Sequence, residues 1–148
     1  MPASLSAFAL VALGGAVGAA LRYGVGVAVA RIGGGFPLAT LIVNVLGCFG
    51  IGFTLAWLGR GGSAGDLAQA APPGQVAEAA RALAQEAAAT LRLVVVVGFL
   101  GGFTTFSAFG QESVALLRSG AWGGLAVSLA LNLGLGFAAV VLGAKLGA

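Results

Sequence analysis

A chain of 148 residues that is 59% hydrophobic and only 7% charged cannot clothe a water-facing surface, which ordinarily takes about 25% charged residues. Its mean hydropathy of +1.08 assigns most of it to lipid, as one domain. The net charge of +3 is scattered singly over Arg22, Arg31, Arg60, Arg81, Arg92, Arg118 and Lys145, without the basic stripe a nucleic-acid partner needs. With no histidine and a lone Cys48, His-based chemistry and an internal disulfide are excluded.

A spanning helix needs about 20 mainly apolar residues. Four stretches supply them, at about 5–30, 36–58, 93–117 and 122–146, so the expected fold is all-α, a polytopic membrane domain. The first stretch has no basic residue before its apolar run and outlasts a signal peptide, so it reads as a retained helix. It carries Gly14 and Gly18 four apart, a spacing that lets helix backbones approach closely in lipid, and Gly98/Gly102 and Gly120/Gly124 repeat that spacing. Near its end stands Arg22.

After the short connector around Arg31–Gly35, the second span places Thr40 and Asn44 four residues apart on one helical face. Polar groups at membrane depth normally face the bundle interior or a wet pathway. Two readings stand for this pair. It is interhelical hydrogen-bonding glue, or it is part of a path in which the two amide donors of Asn44 receive a small anion that has shed water.

The segment 59–90 opens with Gly61, Gly62, Ser63 and Gly65 and contains Pro72-Pro73, then turns alanine-rich with Glu78, Arg81 and Glu86. Its first half reads as a linker and its second half as a helical extension of the third span into water, a tolerated insertion.

The third span carries Gly98-Phe-Leu-Gly101-Gly102-Phe-Thr104-Thr105-Phe106-Ser107-Ala108-Phe109. Two glycines followed by two β-branched threonines make a poor regular helix. Either the span kinks, with the Thr hydroxyls bonding back, or it breaks mid-membrane and its freed carbonyls suit a cation such as Na+. Phe106 and Phe109 lie three apart beyond that point, and the positive edge of a phenyl ring can attract an anion. Glu112 follows near the span end. Arg22 and Glu112 snorkel, pair with each other, or line an entry vestibule. The fourth span repeats the polar pair at the same spacing with Ser128 and Asn132. The basic residues divide four against two or three between the two sides, too even to fix one orientation.

At these residues the chain resembles the Fluc fluoride-channel family, also called CrcB. The likeness covers the four spans, and its motifs stand in the first three: Gly14-Gly-Ala-Val-Gly-Ala-Ala-Leu-Arg22-Tyr23, Pro37-Leu-Ala-Thr40-Leu-Ile-Val-Asn44-Val-Leu-Gly47, and the run Gly98–Phe109. The resemblance implies an antiparallel dual-topology homodimer in the bacterial inner membrane, with two fluoride pores and a central structural Na+. Carried over by position, Gly101 and Thr104 supply carbonyls to Na+. Phe106, Phe109 and Asn44 line the pore, and Thr40, Ser128 and Asn132 lie on a polar track. Ala39 and Ala108 stand where the family usually has Gly and Thr, and the 59–90 loop is long. The rival from another class is a small proton-coupled multidrug exporter of four helices, which needs a carboxylate buried among them. The first two spans contain none, and nothing here assembles the acids, bases or nucleophile of an enzyme.

Overall fold

A computed structural model describes residues 4–33, 35–60, 70–71 and 73–148. The glycine-rich stretch 61–69 and Pro72, which carry the expected linker, lie outside the described residues. The described chain is all-helical and has four helical stretches long and apolar enough to cross a membrane. Helix α1 covers Leu5–Ala30 and starts at Ser4, whose hydroxyl accepts the Ala7 N–H at 3.2 Å, as an N-cap serine does. Helix α2 covers Leu38–Gly59.

Helix α3, Gln75–Leu91, runs directly into a π-helical segment, Arg92–Leu100, and a last turn, Gly101–Phe103. There the Gly101 N–H reaches back five residues to the Val96 carbonyl, the wider winding often found next to functional sites. The helix then breaks: Thr104 and Thr105 are both extended, with ψ of 158° and 113°. Helix α4, Phe106–Arg118, resumes the span. The whole stretch Gln75–Arg118 has 44 residues, against about 20 that cross the hydrocarbon, so α3 with Glu78, Arg81 and Glu86 projects beyond it. A tight turn at Gly120, with φ of +73°, leads into α5, Trp122–Gly147.

Two helix pairs hold this arrangement, and glycine makes both. Gly14 and Gly18 of α1 meet the backbone of the third span at Val94 and Phe99, and Gly98 and Gly102 reciprocate. A methyl group added at Gly98 would lie 2.8 Å from the Val11 carbonyl oxygen, and one at Gly102 2.6 Å from that of Gly15. In lipid such close packing replaces the hydrophobic effect as the cohesive force. Helices α2 and α5 form the second pair, with Gly52 against the Val140 carbonyl and Gly143 and Gly147 against the Phe49 and Phe53 carbonyls. The spacing Gly120/Gly124 does not act this way. Gly120 sits in the turn, and the nearest group to a methyl at Gly124 is the Leu116 side chain at 3.4 Å. The contact glycines of α5 are at its other end because that end lies beside α2.

Candidate functional site

The break is held open by side chains. In a continuous helix the Thr105 N–H would bond the carbonyl four residues back, that of Gly101. Here it donates instead to Asn44 Oδ1 at 2.9 Å, while Asn44 Nδ2 donates to the Thr105 carbonyl at 3.2 Å. Asn44 thus grips Thr105 on both backbone groups. The Ala108 N–H, whose helical acceptor would be the Thr104 carbonyl, donates to Thr105 Oγ1 at 3.1 Å. Thr104 closes the preceding turn, its N–H and hydroxyl both donating to the Leu100 carbonyl at 3.0 and 2.9 Å. The carbonyls of Gly101 and Thr104 are therefore the two whose helical donors have been diverted to side chains.

The second hydrogen of Asn44 Nδ2 goes to Asn132 Oδ1 at 3.1 Å, and Asn132 Nδ2 donates to the Ser128 carbonyl at 3.0 Å. Ser128 is wholly buried and its hydroxyl has no hydrogen-bond partner. A connected polar chain therefore runs from the break through α2 to α5. The four-residue spacings put Asn44 and Asn132 on facing sides of a tightly packed helix pair.

Directly after the break, the first N–H groups of α4, at Phe106 and Ser107, have no preceding helical carbonyl to bond. They give this helix start a partial positive charge inside the membrane. Around it stand the rings of Phe106 and Phe109, with centroids 5.7 Å apart and planes inclined at 56°. Phe109 is buried, whereas Phe106 is 80% exposed on the single chain. Gly101, with its freed carbonyl, is exposed on the single chain as well.

Thr40 and Glu112 form a separate cluster. The Thr40 hydroxyl donates to Glu112 Oε1 at 2.7 Å, and Glu112 Oε2 is buried without a partner. Beside them opens a pocket of about 400 Å³ lined by Gly35, Phe36, Pro37, Ala115, Leu116 and Ser119 as well as Glu112. Glu112 is therefore bonded to Thr40 rather than to Arg22, which stands half-buried on α1.

Of the expected site residues, Asn44, Asn132, Ser128, Phe106 and Phe109 gather at the break, together with the Gly101 and Thr104 carbonyls. Thr40 and Glu112 lie toward one end, and Arg22 belongs to neither group. Thr105 is not among the expected site residues, although the structure makes it central. Its signal in the sequence is that of an N-cap, a Thr directly ahead of a helical run.

The family described as CrcB-like protein, Camphor Resistance (CrcB) matches residues 9–144 of this chain. Three similar proteins are each named fluoride-specific ion channel FluC. The protein of Roseiflexus sp. (strain RS-1) is 39% identical over 135 residues, 90% of either chain. That of Solibacter usitatus (strain Ellin6076) is 40% identical over 141 residues, 94% of this chain and 96% of the relative. That of Thermus thermophilus is also 40% identical over 141 residues, 95% of this chain and 94% of the relative.

Proposed function

From the chain's membership of the CrcB family, which it belongs to across nearly its whole length, we propose that it is a passive fluoride channel. It is a multi-pass bacterial membrane protein and an ion channel, not an enzyme. The observation that carries the pore is the broken third span. Supporting it, the N–H end of α4, the Asn44 amide and the two rings Phe106 and Phe109 lie together at that break.

Fluoride is small and strongly hydrated, so it enters lipid only where fixed donors replace its water. The break supplies backbone N–H groups and positive ring edges. Both hydrogens of Asn44 Nδ2 are already committed, to Thr105 and Asn132. An arriving fluoride therefore takes the place of Asn132 Oδ1 as acceptor. That exchange keeps the number of hydrogen bonds constant, which lets the ion bind and leave again, as conduction requires. Ser128, with its unpartnered hydroxyl, extends the polar track beside this point, and the pocket at Thr40 and Glu112 serves as a vestibule. The negative interior of the cell drives fluoride out.

The channel is a homodimer of antiparallel copies in this reading. What supports it is that Phe106 and Gly101, the residue whose carbonyl has lost its helical donor, are exposed on one chain within the third span. An unsatisfied carbonyl is costly against acyl chains, and a second copy would cover it. The near-even division of Arg and Lys between the two sides agrees with insertion both ways. The donor set also fits a structural Na+. It consists of neutral carbonyl oxygens stripped of their helical donors, and among the described residues no cluster of His, Cys, Asp or Glu competes with it. Gly101 and Thr104 would hold that ion, and when bound it supplies a fixed positive charge at the break.

The exporter alternative finds no support here, since it needs a carboxylate free to exchange protons at the bundle centre. Glu112 lies instead toward one end and is tied to Thr40. The test is fluoride efflux from liposomes containing the purified protein, with chloride as control. Fluoride release with chloride retained is expected. Rapid chloride release, or none of either, would sink the channel.

A further inference from the structure

The carbonyls of Gly101 and Thr104 lose their helical partners for two different and nameable reasons. The Thr105 N–H is drawn off Gly101 by Asn44 Oδ1, a side chain from another helix 61 residues away in sequence. The Ala108 N–H is drawn off Thr104 by Thr105 Oγ1. Thr105 itself is buried, at 7% exposure, so its N–H cannot turn to water if Asn44 Oδ1 is removed, and the Ala108 N–H stands on a half-buried residue. A buried N–H left unpaired is costly. With either acceptor gone, the helical carbonyl is the partner chain geometry offers.

We propose that Asn44 and Thr105 are positioning residues for the cation, keeping the Gly101 and Thr104 carbonyls free by taking up the N–H groups that would otherwise close on them. This inference rests on the Na+ reading given above. It makes Asn44 a shared element: its Nδ2 faces the anion path through Asn132, and its Oδ1 maintains the cation carbonyl through Thr105. Cation and anion sites are thereby joined through one side chain. Oδ1 serves the Thr105 N–H alone, whereas Nδ2 serves both the Thr105 carbonyl and Asn132, so substitutions that spare or remove the Oδ1 acceptor weigh the two tasks differently.

The test is an Na+ titration of the purified protein in detergent micelles, with sodium chloride replacing N-methylglucamine chloride at constant ionic strength. Heat of binding and the thermal unfolding midpoint are both read. Thr105→Val preserves shape and removes the cap, and it should weaken Na+ binding about tenfold or more, the scale of a hydrogen bond linked to a charge. Thr105→Ser keeps the hydroxyl and should restore binding to near the parent's value. Asn44→Leu should weaken Na+ binding like Thr105→Val. Asn44→Asp keeps an acceptor for the Thr105 N–H although it gives up the bond to the Thr105 carbonyl, and it should retain tighter Na+ binding than Asn44→Leu while fluoride flux is lost. If Asn44→Leu does not fold, the Thr105 pair decides. Parental Na+ affinity in Thr105→Val, or equal weakening in Thr105→Ser, would overturn the positioning role. A parent protein that shows no Na+ response would overturn the cation reading itself, and this inference with it.

Discussion

Replacing Asn132 by leucine, a residue of similar size, tests whether fluoride exchanges places with a protein oxygen. The substitution deletes Oδ1, the acceptor for one Asn44 Nδ2 hydrogen at 3.1 Å. The other contact of Asn132, to the Ser128 carbonyl, leaves nothing stranded, because that carbonyl keeps its own helical N–H partner. One half-buried donor is thus left unsatisfied, which costs up to about 1–3 kcal/mol. On the proposed exchange, fluoride must displace Asn132 in the parent. In Asn132→Leu there is nothing to displace, so the same energy reappears as tighter fluoride binding, roughly five- to a hundredfold at 1.4 kcal/mol per tenfold. The variant should therefore be less stable without fluoride, should bind fluoride more tightly by calorimetric titration, and should conduct more slowly because the ion leaves late. Fluoride affinity unchanged or weaker than the parent's would refute the exchange.

Three further outcomes follow from the same geometry. Asn44→Asp places a negative charge in the proposed anion path; at about 4 Å and an effective dielectric of about 20 it opposes fluoride by about 4 kcal/mol, and liposome efflux should fall by roughly a thousandfold. Phe106→Ile removes one ring edge from the start of α4 and should slow fluoride efflux, while parental rates would remove Phe106 from the pore. Gly18→Ala forces a methyl onto the Phe99 carbonyl, a backbone contact that cannot yield as a side chain does. It should lower thermal stability by about 1–3 kcal/mol, as overpacking does, whereas Gly26→Ala, with open space at its methyl position, should leave stability unchanged.

The four spans were legible because apolar runs of this length without charge have one solution in lipid. The break was legible as two alternatives, since Gly101-Gly102 and Thr104-Thr105 disfavour a helix whatever their surroundings. The structure has both threonines extended, which is compatible with the break, while the Thr104 hydroxyl bonds back to the Leu100 carbonyl as the kink reading expects. What no local pattern disclosed is how the break is held. Asn44 reaches Thr105 across 61 positions and Asn132 across 88, and helical periodicity gives a face but not the neighbour. The same limit explains the charges near the span ends. Arg22 and Glu112 are opposite in sign, yet Glu112 bonds Thr40, because α2 rather than α1 stands beside it at that level. Glycine spacing was likewise informative only where a helix lay opposite. Gly14/Gly18 and Gly98/Gly102 mesh, whereas of the equally spaced Gly120/Gly124 the first sits in a turn and the second meets only the Leu116 and Ala121 side chains.

Central to this mechanism is that a bare fluoride crosses at the broken span, solvated by amide hydrogens and phenyl edges and by nothing that serves chloride equally well. The most direct measurement is the reversal potential of the protein in a planar bilayer with a tenfold fluoride gradient, balanced by chloride so that total halide is equal on both sides. The expected potential lies near the fluoride equilibrium value and is reached without chloride current. A reversal at zero, with both halides carrying current alike, would contradict it.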